Sequence, residues 1–292
     1  MGMPDLTYLR PDSLADACAL AGRLGRDAAF LAGGTELIPD FQRERETARQ
    51  LIGLGHLPEL RGISIERGTL RIGALTTIAE VAASAEVRGR LTALADAARA
   101  IGSAQIRSLA TIGGNFCRAV ACADTPPAAI AGDARVHLAG ALGTRELPAV
   151  EFFLGPRRTV LAPGEVLVAI TLPPQPAASG SSYQRFSRRK GASLAVAAVA
   201  VRVTLVEGRI TGARIALGAV SPVPMLVARA SSMLEGELPS AALFSKAAAV
   251  CADAALPITD VRGTADFRRE LVSVLAARAL GEAATRAAEA RP

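Results

Sequence analysis

Tryptophan is absent from this 292-residue chain, tyrosine occurs twice and aromatic residues make up 3% of it. Base-stacking surfaces for nucleic acid therefore have almost no material. Histidine is as scarce: His56 and His137 are the only two, which starves histidine-rich metal sites and histidine-based catalytic dyads. Cysteine is confined to Cys18, Cys117, Cys122 and Cys251, too few and too scattered for a disulfide framework in a chain of this size. There are two lysines, Lys190 and Lys246, against 31 arginines. The net charge of +6 is spread along the whole chain, with Arg188-Arg189-Lys190 the one tight basic cluster, unlike the basic stripe of a nucleic-acid-binding domain.

Long hydrophobic runs are missing too. The stretch from Ala192 to Val201 ends at Arg202, at about half of the ~20 residues that a membrane-spanning helix needs. Asp5, Arg10 and Asp12 stand where a secretion signal requires an unbroken apolar region. These absences predict a cytoplasmic protein with reduced thiols and no membrane span.

What is present is an apolar fraction of 50%, ample for a core and for roughly two domains. The spacing of Leu14, Ala17, Cys18, Ala21 and Leu24 predicts a helix that Asp12 or Ser13 caps and Gly25 ends. Ala28 to Leu31 reads as a short buried strand, followed by Gly33-Gly34-Thr35 and a helix-competent stretch from Glu36. A strand at Leu51 to Leu54 comes next, then a hairpin of Gly62 to Glu66 and Thr69 to Gly73 turning at Arg67-Gly68. Helices near Thr77 to Ala83 and Val87 to Ala100 lead into a second glycine pair, Gly113-Gly114-Asn115.

Strands at Ala134 to Leu138 and Glu165 to Leu172 complete this half. The run from Pro173 to Ser182 has the composition of a linker. Beyond it, strands are predicted at Tyr183 to Arg188, Leu194 to Val206 and Arg209 to Gly218, and helices at Met225 to Leu234, Ala241 to Ala254 and Thr264 to Ala290. The pattern is α+β, with domains over 1–176 (subdomains about 1–57 and 58–176) and 182–287.

The chemistry is carried by the two glycine pairs. Without a Cβ, the backbone turns sharply and its N–H groups approach a ligand, forming a concavity that suits an anion such as a diphosphate. A tight turn without a ligand explains either pair alone; two pairs, each ending in a small polar residue, Thr35 or Asn115, suggest convergence on one group. Neither pair is a P-loop. Gly53-Leu54-Gly55-His56-Leu57-Pro58 has proline where a dinucleotide fingerprint needs its third glycine. Arg185, Arg188, Arg189 and Lys190 read equally as a solvated strand edge or as partners of an anionic cofactor. Asp124 could cap the helix beginning at Pro126 or hold a cofactor hydroxyl. Cys117 and Cys122 have the spacing of one plant-type iron–sulfur pair, but Cys18 and Cys251 lie in unrelated segments, so all four read as packing thiols.

Leu31-Ala32-Gly33-Gly34-Thr35-Glu36-Leu37 and Thr111-Ile112-Gly113-Gly114-Asn115 resemble the two FAD-binding loops of the flavoprotein (medium) subunit of molybdenum hydroxylases, the xanthine dehydrogenase and carbon monoxide dehydrogenase family. The resemblance extends over nearly the whole chain, through Gln105-Ile106-Arg107, Phe152 to Arg157, Tyr183 to Ala195, Ile215 to Val220 and Asp260 to Arg268. It implies an FAD-binding module of the vanillyl-alcohol oxidase (PCMH) type, followed by a smaller α+β carboxy-terminal domain of the carbon monoxide dehydrogenase flavoprotein.

By the same resemblance, the backbone amides of Ala32 to Glu36 and of Thr111 to Asn115 would wrap the FAD diphosphate, and Asp124 would hydrogen-bond the cofactor. Leu167 and Ile101 would pack near it, and Arg185 stands where relatives often carry a lysine near the flavin ring. Ser193 occupies a position that is frequently aspartate. Molybdopterin and 2Fe–2S clusters are expected only in partners, a large and a small subunit, assembled as a dimer of heterotrimers. The chain lacks the four-cysteine insertion of the 4-hydroxybenzoyl-CoA reductases. A stand-alone FAD-dependent oxidoreductase of the same fold and a cofactor-free assembly subunit are the alternative readings.

Overall fold

The computed structural model describes residues 4–189 and 191–290. Strand β1 (Thr7–Leu9), helix α1 (Leu14–Leu24), β2 (Ala28–Leu31), α2 (Leu37–Gln42) and β3 (Gln50–Gly53) come first. They form a parallel sheet in the order β1-β3-β2. The Ser13 hydroxyl accepts from the Asp16 N–H and starts α1 as its sequence predicts.

The chain continues through β4 (Ile63–Glu66), β5 (Thr69–Gly73), α3 (Ile78–Ala83), α4 (Ala85–Arg90), α5 (Thr92–Ala100), α6 (Ala104–Leu109), α7 (Ile112–Cys117) and α8 (Thr125–Ala131). It then forms β6 (Arg135–Gly140), β7 (Gly143–Pro148), β8 (Phe153–Gly155), β9 (Arg158–Thr159) and β10 (Val166–Leu172). Here the sheet is antiparallel, ordered β4-β5-β10-β6-β7, with β8 and β9 paired separately. The helix expected over Val87 to Ala100 is two helices. Leu91, buried at φ −154°, breaks it, so that Val87 of α4 and Leu94 of α5 reach one core.

The last segment contains β11 (Ser179–Phe186), β12 (Ala197–Val206), β13 (Arg209–Gly218), β14 (Met225–Leu226), α9 (Ala228–Ser232), α10 (Ala241–Ala254) and α11 (Ala265–Glu289). The strands make an antiparallel sheet in sequence order. This confirms the α+β class. The sheet is covered on both faces: Ala197, Val199, Val201 and Val203 join a core with α10 and α11, whereas Ala198 and Ala200 pack with the α5 and α8 residues. A strand buried on both sides reads as a continuous apolar run, which accounts for the stretch before Arg202.

Two expectations are corrected. Ser179–Ser182 is the first half of β11 rather than linker. Its small residues serve close packing: a Cβ on Gly180 would lie 2.1 Å from the Ala283 carbonyl oxygen of α11. The Ser181 hydroxyl accepts from the Ala93 N–H at 3.0 Å and that of Ser182 donates to Glu282 at 2.7 Å. The helix expected from Met225 begins only at Ala228, because Met225 and Leu226 pair with Leu217 and Ala216 as an edge strand.

Candidate functional site

The C-terminal end of β2 runs into a turn that faces the α6–α7 junction across a cavity of about 280 Å³. Ala32, Gly33, Gly34, Thr35, Glu36 and Leu37 line one side; Ile101, Ile106, Thr111, Gly114, Asn115 and Arg118 line the other. The two glycine loops therefore share a single cavity.

They are held together at van der Waals limits. A Cβ on Gly33 would lie 2.0 Å from the Leu109 carbonyl oxygen and 3.1 Å from Ala110 Cα, so only glycine permits this approach. Gly34 sits at φ +70°, the left-handed conformation that costs other residues most. Among the described residues, no acceptor takes the N–H of Gly33, Gly34, Thr35 or Glu36. Consecutive unengaged N–H groups on such a turn form an anion cradle. The one carboxylate on the loop, Glu36, is drawn toward Arg118, whose Nε lies 3.2 Å away. The residues present thus fit the diphosphate of a dinucleotide.

The second loop differs from the first. Most of its N–H groups are already engaged: Ile112 donates to Thr76 O at 3.0 Å, Gly113 to Ala74 O at 2.8 Å and Asn115 to Thr111 O at 3.0 Å. Gly114 donates to the Thr111 hydroxyl at 3.1 Å. Of the amides from Thr111 to Asn115, only that of Thr111 has no acceptor among the described residues, because the chain docks this loop onto the segment after β5. Gly113 is glycine for that docking; a Cβ there would lie 2.7 Å from both Ala74 Cβ and Ala74 O. What the loop offers the cavity is Thr111 with its unengaged N–H, the bare surface of Gly114 and the side chain of Asn115.

Arg118, which sequence reasoning passed over, joins the two sides. Its Nη2 lies 2.5 Å from Asp40 Oδ2 on α2, while Arg157 reaches the same oxygen at 3.6 Å. The only sequence signal for it is a charged residue three positions after a glycine-loop asparagine, and nothing local shows its acidic partners.

Leu31, Gly113, Asp124, Leu167 and Arg185 lie outside the lining. Leu31 packs on Phe41, Ala48 and Leu51, and Leu167 is buried in β10 within the main core. Asp124 caps nothing, since Pro126 and Pro127 have no N–H to satisfy. Its carboxylate accepts from the Tyr183 hydroxyl at 2.6 Å and from Arg185 Nη1 at 3.0 Å to each oxygen. Burial pushes the Asp124 carboxyl up from its ordinary value, outweighing the pull of Arg185 and Tyr183 in the other direction. Burial, and then the charge of Asp124, holds the Tyr183 phenol well above its ordinary value.

Removing the phenol hydroxyl in Tyr183→Phe leaves a buried carboxylate short of one donor and is expected to cost about 2 kcal/mol at neutral pH. Because the folded-state pKa of Asp124 is raised, its stabilising contribution is full in acid and lost as pH rises through that value. The deficit of Tyr183→Phe should therefore shrink as pH is lowered, measured by urea denaturation across the acid range.

The basic cluster does not enter the cavity. Arg188 donates to Val261 O and Arg189 to Ala192 O, both at 2.8 Å, and Lys190 lies outside the described residues. His56 bonds to Pro11 O and His137 to the Thr171 hydroxyl. Cys18 and Cys251 are buried free thiols, and burial pushes Cys251 up to about 12. Among the described residues, no helix is long and apolar enough to cross a membrane.

Comparison with known proteins meets this geometry. Residues 4–175 match the family of the FAD binding domain in molybdopterin dehydrogenase, and residues 181–283 match the CO dehydrogenase flavoprotein C-terminal domain. The chain is 36% identical to the carbon monoxide dehydrogenase medium chain of Hydrogenophaga pseudoflava, with 98% of this chain and 99% of that one covered. It is 31% identical to the putative xanthine dehydrogenase FAD-binding subunit of Escherichia coli, with 95% of each covered. A solved structure of the Hydrogenophaga pseudoflava carbon monoxide dehydrogenase superposes with a TM-score of 0.95 at 35% identity, covering 98% of this chain and 99% of that one. The chain is a member of the FAD-binding medium-subunit family of the molybdenum hydroxylases, an oxidoreductase subunit of the carbon monoxide dehydrogenase and xanthine dehydrogenase type.

Proposed function

We propose that this chain is the FAD-carrying subunit of a cytoplasmic molybdenum hydroxylase complex. It takes electrons from the 2Fe–2S clusters of a small subunit and hands them to a terminal acceptor, while a large subunit carries the molybdenum cofactor. The assembly is a dimer of such heterotrimers. The observation that carries this reading is the shared cavity, which Gly33 to Glu36, their four N–H groups unengaged among the described residues, line together with the second glycine loop.

FAD, when bound, supplies the redox centre that exchanges electrons singly or in pairs. The protein's own task is to hold and bias it. Gly33 to Glu36 would grip the diphosphate by main-chain donors that do not titrate near neutral pH. Ile101, on the lining, would pack against the cofactor. The Arg118 guanidinium beside the Glu36 carboxylate would offset that negative charge next to the anion. Arg185 is paired with Asp124, so its charge is balanced locally, and Arg185→Ala should shift the flavin reduction potential downward only if that balance is incomplete.

The test is direct. The purified apoprotein should bind one FAD. The flavoprotein should be reduced by NADH or a dye in isolation, and by its iron–sulfur partner once that is added, but not by carbon monoxide or xanthine, the compounds in its relatives' names. A colourless chain that takes up no FAD would end the reading, and reduction by such a substrate without partners would replace it with a stand-alone oxidoreductase.

A further inference from the structure

Asn115 lines the cavity with an amide whose two ends have opposite character, an acceptor Oδ1 and a donor Nδ2. Thr125, the fully buried first residue of α8, places its Oγ1 2.6 Å from Asn115 Oδ1. Oδ1 can only accept, so the Thr125 hydroxyl donates. The Nδ2 end, which has no acceptor within the chain among the described residues, is left to the cavity.

Thr125 is itself held firmly. Two prolines follow it, α8 is buried along its whole length, and the preceding residue, Asp124, is gripped by Tyr183 and Arg185 of β11. The terminal torsion of an asparagine is otherwise broad and two-fold, so an unrestrained Asn115 would show the cavity either end. The engaged amides from Ile112 to Asn115 raise the importance of this one side chain, because beside the Thr111 N–H it is what that loop has left to donate.

We propose that Thr125 is a positioning residue of the cofactor site, which fixes the Asn115 amide so that an N–H donor, and not a carbonyl, faces the oxygen-rich linker of a bound dinucleotide. The inference rests on the FAD reading above and deepens it.

The experiment is a fluorescence titration of the full-length apoprotein with FAD. Thr125→Val removes the hydroxyl at nearly constant volume and should weaken FAD binding by about tenfold, the equivalent of one hydrogen bond. Thr125→Ser keeps the hydroxyl and should restore wild-type affinity, a rescue that a purely packing role would not produce. Asn115→Ala is an independent arm: it should lose the same about tenfold, and Thr125→Val added to it should cost nothing more. Wild-type affinity in Thr125→Val or in Asn115→Ala, or failure of Thr125→Ser to rescue, would overturn the proposal. A wild-type chain that binds no FAD would instead sink the functional reading beneath it.

Discussion

Gly33→Ala should weaken FAD binding by about hundredfold, against about tenfold for Gly34→Ala, although both change a glycine of the same pair. The two positions fail for different reasons. A methyl group on Gly33 meets the backbone carbonyl of Leu109 at 2.0 Å, and backbone cannot rotate aside as a side chain can. The loop must back away from α6, which carries its four free N–H groups out of register with the opposite wall; overpacking of this kind costs about 1–3 kcal/mol. A methyl group on Gly34 meets only the flexible side chains of Ile38 and Leu31 at 3.3 Å. Its penalty is the left-handed backbone, about 1–2 kcal/mol, part of which the loop absorbs without moving. Titration of the two apoproteins with FAD decides the order, and equal losses would show that the close approach to Leu109 does not set the cradle.

Arg268→Ala should cost about 4 kcal/mol of folding stability, the range for breaking a buried ion pair by removing one partner. Arg268 is 2% exposed, yet its guanidinium ties three segments. Nη1 donates to Val196 O at 3.1 Å and Ala219 O at 3.2 Å, and Nη2 to Asp260 Oδ1 at 2.5 Å. The start of β12, the end of β13 and the loop before α11 thus meet on one side chain, and truncation leaves two buried carbonyls and part of a carboxylate unsatisfied.

The Asp260 carboxyl is held well below the usual carboxylate range, first by the Arg262 side chain and then by Arg268. Its stabilising contribution is present above the ordinary aspartate value of about 3.9 and is lost as pH falls toward the depressed one. Acid sensitivity from this site should therefore largely persist in Arg268→Ala and fade in Arg262→Ala. Urea denaturation at neutral and acid pH measures both effects, and a loss below about 1 kcal/mol in Arg268→Ala would put the network within the range of ordinary surface pairs.

Much of the architecture is legible locally. Ser13 announces its helix because a cap needs only its own next three residues, the helices expected from Thr77 and Thr264 begin one residue later with those threonines as their caps, and the hairpin at Arg67-Gly68 follows from turn chemistry. Where the reading fails, a distant contact outweighs a local tendency. Ser179 to Ser182 looks flexible by composition, but α11 presses on Gly180 and converts smallness into close packing. Asp124 looks like a cap, but two prolines remove the N–H groups it would serve, and Tyr183 and Arg185 claim it.

The site shows the same division. Glycine pairs are visible in the sequence because a residue without a Cβ has few uses other than a turn or a close approach, and so the positions of both loops were determined before any fold was known. Which of their amides remain free was decided only by the tertiary structure. The second loop loses two of its donors to Ala74 and Thr76, and the first keeps its own because it meets the Leu109 carbonyl only through a missing methyl group. Local propensity acts over a few residues, whereas the allocation of hydrogen bonds depends on which segments the folded chain brings within three ångströms of one another.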